Sequence, residues 1–157
     1  AYGETEADLI VPPAALYRLI RPYADPFEFI ARERIAAELD ASRYADLAAA
    51  AAVPPYRASK FSALYLLPDA PWGRRVFGAF ANRLAATDPY RAYAVVVPNS
   101  HGGYTVSVRA PGAGPLIADA LCREYPTGGG RAGAAGIDHL PPGELEAFIA
   151  RLEAAAR

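Results

Sequence analysis

Methionine is absent from this 157-residue sequence, and cysteine and tryptophan occur once each. The lone Cys122 excludes an internal disulfide and leaves too few thiolates for a structural zinc site. Only two histidines, His101 and His139, are present, so a cluster of imidazole ligands is excluded as well. Long apolar runs are missing too. The longest uncharged small-residue stretch, Leu47 to Val53, is far too short and alanine-rich to span a bilayer, so no membrane partner is expected. Nor is there an excess of charge of one sign. A net charge of −1 gives no global attraction to nucleic acid or to an anionic membrane, and any phosphate recognition has to be local. Lysine is nearly missing: Lys60 stands alone against fifteen arginines, which fits base composition better than selection for a basic face. No signal-peptide pattern opens the chain, and a reducing, cytoplasmic setting is expected. A chain that starts at Ala1 and contains no methionine is expected to be a processed protein or a piece of a longer one.

What is present supports a packed core. Apolar residues make up 53% and charged residues 21%, enough for one domain with a helical extension. Pro12-Pro13 opens a short helix carrying Leu16, Leu19 and Ile20, which Pro22 stops. Asp25-Pro26-Phe27-Glu28 reads as a capping box, with Asp25 as N-cap and Glu28 reaching back. Ser42 is placed to cap a further helix that runs through the alanine tract to Pro54-Pro55. That proline pair marks an expected boundary between a helical segment, residues 1–57, and a second unit, residues 58–157.

Beyond it the texture changes. Phe61 to Leu67 and Tyr93 to Val97 are apolar runs of strand length, separated by a helix that starts at Pro71. On that helix Trp72, Val76, Phe80 and Leu84 recur every four residues and read as core. Asn99 to Gly103 is turn-rich and reverses the chain. Tyr104 to Arg109 then alternates, with Thr105, Ser107 and Arg109 on the polar side. Pro115 begins another helix, and a last amphipathic helix carries Leu145, Phe148, Ile149 and Leu152. The expected fold is a small α/β layer, a mixed sheet covered by helices, with an N-terminal helical extension.

Between the last two helices lies Thr127-Gly128-Gly129-Gly130-Arg131-Ala132-Gly133-Ala134-Ala135-Gly136. Three consecutive glycines permit close backbone approach to a ligand, and a loop of N–H groups beside an arginine suits phosphate or carboxylate. The bland alternative is a tight turn with Arg131 solvated. The spacing matches neither the Walker loop nor the dinucleotide fingerprint. Ser107 and Arg109 are a second candidate pair, although a polar strand face by itself is more often an ordinary solvent-facing edge. His101 reads as an exposed turn residue, Asp138-His139 as too sparse for a metal, and Cys122 as a core thiol without a partner base. No catalytic residue and no metal ligand is identified.

The strand Ser107-Val108-Arg109, the helix after it and the run Gly128-Gly129-Gly130-Arg131-Ala132-Gly133-Ala134-Ala135-Gly136 together resemble the DHH-associated domain. This is the C-terminal domain of the Asp-His-His phosphoesterase superfamily, a group of hydrolases. The similarity covers roughly residues 58–155. It implies a substrate-binding domain for single-stranded nucleic acid, a short oligonucleotide or a small nucleotide phosphate, with Ser107, Arg109, Gly128, Gly129, Gly130, Arg131, Ala135 and Gly136 at the ligand. Many family members carry histidine at the position of Arg131. Family catalysis rests on a separate N-terminal domain that binds two divalent metals, typically manganese. No such ligand set exists in these residues, so no cofactor is expected in this chain. The resemblance thus implies a bacterial phosphoesterase fragment, inactive alone, whose missing catalytic domain is its natural partner. The alternative is an oligomerisation module, a homodimer included, acting through the helical face around Trp72 and Phe80.

Overall fold

The computed structural model describes residues 3–112 and 114–157. A 3-10 turn at Glu6–Asp8 leads into three helices, α1 (Pro13–Ile20), α2 (Pro26–Arg32) and α3 (Arg34–Ala51). A short strand β1 (Arg57–Ala58) and the strand β2 (Ser62–Leu66) precede α4 (Pro71–Thr87) and β3 (Ala92–Pro98). Then come β4 (Tyr104–Arg109), the short α5 (Ala118–Cys122), β5 (Gly128–Arg131), β6 (Ala134–Leu140) and, after a 3-10 turn, α6 (Leu145–Ala155). The six strands form one mixed sheet in the order β1-β2-β3-β4-β6-β5, with β2 and β3 parallel and every other pair antiparallel. Parallel neighbours need a crossover, and α4 provides it. The expected class, a small mixed α/β sheet covered by helices, is the one observed.

Alternation along the strands divides the core in two. On one side of the sheet Leu64, Ala94, Val96, Val106, Val108 and Ile137 pack beneath α5 and α6, with Phe148, Ile149 and Leu152 as their partners. On the other side Val95 and Val97 meet Val76, Phe80 and Ala81 of α4, and Leu47 and Ala50 of α3 join them. The Trp72–Phe80 face suggested for oligomerisation is therefore internal. Phe80 is 2% exposed and stacks edge-on against Tyr65 at 5.3 Å, while Trp72 packs against the same cluster.

Several local expectations change. Asp25 does cap α2, accepting from the Phe27 N–H at 2.9 Å, but Glu28 pairs with Arg32 at 3.5 Å instead of closing a box. Ser42 caps nothing and lies inside α3, which starts at Arg34 because the backbone is extended only at Glu33. No glycine or proline interrupts the chain between there and Pro54, so the helix runs through. The helix expected from Pro115 is confined to Ala118–Cys122. The largest change concerns the glycine run. It is not a loop but the edge strand β5, joined to β6 by the two residues Ala132 and Gly133. A strand of three glycines has almost no intrinsic β preference, so only its pairing with β6 reveals it.

Two arginines at the start of α4 fasten the N-terminal segments to that helix. Arg75 grips Asp46 of α3 through two hydrogen bonds of 2.8 and 3.0 Å and donates a third to the Asp8 carbonyl. Arg74 bonds the Asp8 carboxylate at 2.9 Å and also meets Asp69. Asp8, 3% exposed, accepts in addition from the Glu4 and Thr5 N–H groups. The Arg74 hydrogen bond, outweighing burial, holds the Asp8 carboxyl below its ordinary value of 3.8. A depressed carboxylate stabilises the fold fully above the unfolded value and loses that contribution as pH falls through the folded one. Acidification below about pH 4 is expected to lower the melting temperature of the wild type more than that of Asp8→Asn, which starts lower at neutral pH. Parallel pH profiles for the two proteins would remove Asp8 from the acid-sensitive set.

Candidate anion-binding site

Registers across β4, β6 and β5 decide which side chains meet. Ser107 lies opposite Gly136, which lies opposite Gly129, and Arg109 lies opposite Ala134, which lies opposite Arg131. Directly paired residues project to the same face, so Ser107, Arg109, Arg131, Gly129 and Gly136 share one side of the sheet. This is the side of α4. The helix packs on β3 and reaches β4, and β6 and β5 extend beyond it. The result is a shelf of nearly bare backbone, bordered by two guanidiniums about 10 Å apart at their Cα atoms, two inter-strand spacings.

The intervening rows face the other way. Val106, Ile137 and Gly128 form one, and Val108, Ala135 and Gly130 the other. Ala135, expected at the ligand, is instead 7% exposed in the core beneath α5 and α6. Gly128 and Gly130 serve folding. A Cβ at residue 128 would stand 1.7 Å from the Cys122 carbonyl oxygen, and one at residue 130 would stand 2.5 Å from the Ala135 Cα, where the backbone also adopts φ +153°. The Gly128 N–H, moreover, donates to the Tyr125 carbonyl at 2.9 Å. The three-glycine cradle of N–H groups is thus not formed. Gly129 differs, because a Cβ there would meet nothing within 4 Å. Of the three consecutive glycines, it alone faces the shelf without a packing reason.

Arg109 is held in place by neutral groups. Its Nη1 donates to the Ser107 hydroxyl at 2.9 Å and to the Val108 carbonyl at 2.8 Å, and its Nε donates to Oδ1 of Asn82, on α4, at 2.6 Å. Burial first, and the nearby charge of Arg131 second, lower the Arg109 pKa. Among the described residues no carboxylate pairs with either arginine. Two cations that repel each other across an unfilled shelf make a ready position for an anion, which a planar guanidinium fork binds well. Asn82 was not singled out by sequence reasoning. It occupies an exposed polar position of an amphipathic helix, and only the packing of α4 across β4 brings it to Arg109.

At the other end of the shelf Asp138 is exposed, and His139 Nδ1 lies 3.3 Å from Asn99 Nδ2, with the His101 ring 6.3 Å away edge-on. Cys122 is buried, which pushes its thiol up to about 12 and leaves it un-ionised.

No protein-family model and no curated protein matches the sequence. Solved structures do. RecJ from Thermus thermophilus, in complex with Mn2+, superposes with a TM-score of 0.63 at 23% identity over 85% of this chain. A pGpG-specific phosphodiesterase from Vibrio cholerae superposes at 0.57 with 14% identity over 93% of the chain. An exopolyphosphatase-related protein from Bacteroides fragilis does so at 0.53 with 16% identity, again over 93%. The fold of this chain is one that RecJ and these two proteins share. The chain spans 20% of the RecJ chain, 52% of the phosphodiesterase and 38% of the exopolyphosphatase-related protein. Among the described residues no three His, Cys, Asp or Glu side chains gather into a group able to hold a metal. The described residues therefore offer no fit for the divalent ions that the resemblance implies, and no chemical step is derived through one.

The two-faced hairpin makes a direct expectation about its glycines. Gly128→Ala drives a Cβ into backbone and is expected to cost about 3 kcal/mol or more. Gly129→Ala projects into open space and is expected to change stability by less than about 0.5 kcal/mol. Chemical denaturation measures both, and equal losses would contradict the assigned faces.

Proposed function

We propose that this chain is the substrate-binding part of a DHH-type phosphoesterase, and that it holds a phosphate of single-stranded nucleic acid, of a short oligonucleotide or of a small nucleotide. Catalysis belongs to a separate domain that carries the divalent metal, manganese in type. The carrying observation is the pair Arg109 and Arg131, which flank bare backbone at Gly129 and Gly136 without a carboxylate among the described residues. The fold shared with an exonuclease RecJ bound to manganese and with the pGpG-specific phosphodiesterase supports the same reading, because an exonuclease and a phosphodiesterase both act on phosphate esters. Arg109 and Arg131 neutralise the phosphate, Ser107 adds its hydroxyl, and the absent side chains leave room for the sugar or base beside it. Arg131 contributes binding through its planar guanidinium fork, not proton transfer. The free, buried thiol of Cys122 suits a reducing compartment, and we place the protein in the cytoplasm. Among the described residues no helix is long and apolar enough to cross a membrane.

A second reading, an interaction module, moves away from Trp72 and Phe80 to the helical extension. There α1 and α2 contain no buried residue, and Tyr17, Phe27 and Ile30 are 65%, 75% and 60% exposed. An apolar face of this kind suits a partner, either the catalytic domain or a second copy of the chain. Sedimentation with and without oligonucleotide separates self-association from ligand binding.

Titration with a short 5′-phosphorylated oligothymidylate tests the leading reading. Arg109→Ala and Arg131→Ala are each expected to weaken binding roughly tenfold or more, the size of a lost charge-assisted contact. Each is also expected to reduce the slope of log K against log salt by about 0.7. Affinity unchanged by Arg131→Ala would remove that residue from the site. The isolated chain is expected to show no metal-dependent phosphodiesterase activity, and turnover by clean protein would overturn the assignment of catalysis to another domain.

A further inference from the structure

We infer that Asn82 is a positioning residue of this site, fixing the Arg109 guanidinium so that Nη2 is the edge left for an anion. The inference rests on the phosphate-binding reading above. A guanidinium carries five N–H donors and accepts nothing. Three donors of Arg109 are engaged, Nε by Asn82 and both hydrogens of Nη1 by Ser107 and the Val108 carbonyl. The two hydrogens of Nη2 find no acceptor among the described residues. Because arginine only donates, the amide oxygen of Asn82 faces it and the amide NH2 turns away, free of protein partners among the described residues.

The choice of asparagine has a chemical reason. Elsewhere in this chain, the two arginines that fasten the N-terminal segments to α4 meet aspartate: Arg74 with Asp8 and Asp69, and Arg75 with Asp46. Each of those carboxylates cancels the charge it grips. A carboxylate at position 82 would hold Arg109 equally well, at a contact of 2.6 Å, and would likewise cancel its charge. A neutral acceptor orients the guanidinium and leaves the charge for a ligand. Pre-orientation also removes rotamer freedom that binding would otherwise have to freeze. Asn82 is exposed and contributes little to the core, so its replacement is compatible with an intact fold.

The test compares Asn82→Ala, Asn82→Asp and Arg109→Ala in the full chain, with the 5′-phosphorylated oligothymidylate as probe and the unphosphorylated strand as control. Asn82→Ala is expected to weaken binding about fivefold to tenfold with an unchanged melting temperature, the size of one lost orienting hydrogen bond. Asn82→Asp keeps the grip and adds a charge, and it is expected to bind as poorly as Arg109→Ala. Loss of binding in Arg109→Ala alone, with both Asn82 variants equal to wild type, would overturn the role of Asn82 and leave the phosphate site standing. If Arg109→Ala binds like wild type, the phosphate reading fails instead. The positioning claim is then decided by the Arg109 Nε–H resonance in nitrogen-15 spectra. It is expected to be protected from exchange in wild type and Asn82→Asp and exposed in Asn82→Ala, and equal protection in all three would overturn it. A purely structural Asn82 would lower the melting temperature and leave the affinity of the folded protein untouched.

Discussion

The arrangement of the site depends on one backbone contact, the Cys122 carbonyl of α5 lying where a Cβ of residue 128 would otherwise be. That contact lets α5 settle directly on β5 and presses the Gly128–Arg131 strand against β6. Once the strand is seated, period-two alternation does the rest. Gly128 and Gly130 face the core, and Gly129 and Arg131 face the opposite side. The turn is held by its surroundings as well, since the Ala132 carbonyl accepts from the Ala118 N–H and the Gly133 carbonyl from the Ala110 N–H. A glycine-rich hairpin, weak as an isolated ribbon, thereby becomes a fixed edge of the sheet.

Arginine performs two separate tasks in this chain, and the partner distinguishes them. Arg74 and Arg75 sit on the buried side of α4 and bind aspartates of the N-terminal segments, so their charge is consumed within the fold. Breaking such a pair from one side leaves a carboxylate poorly solvated, which makes these contacts essential to how the helical extension sits on the α/β layer. Arg109 and Arg131, by contrast, share a face and pair with no carboxylate among the described residues, and the first is desolvated enough for its pKa to fall. Unneutralised positive charge held rigidly beside open backbone is a cost to the fold that a bound anion would reverse. The overall charge of −1 confines this attraction to the shelf.

Much of the scaffold was legible in the residues. Long periodic segments and proline punctuation located α4, α6, β2, β3 and β4 closely, because those elements bury the face their periodicity advertises. The pair Ser107 and Arg109 was legible for the same reason, through alternation along β4. Three features escaped. The Ser42 cap failed because capping residues are neutral inside a helix that nothing interrupts. The strands β5 and β6 escaped because glycine and alanine carry no strand signal. The role of Asn82 escaped because it is a contact between elements far apart in sequence.

Sequence alone determined the α/β class, the alternation that sets Ser107 and Arg109 on one face, and the presence of an arginine beside closely approaching backbone. These follow from local patterning and from steric limits that act within a few residues. Tertiary structure alone decided that the glycine run is a strand, that Ala135 and two of the three glycines belong to the core, and that Asn82 reaches Arg109. The reason is register: which residue pairs across a sheet, and where a helix ends over it, is set by long-range packing that no local signal carries.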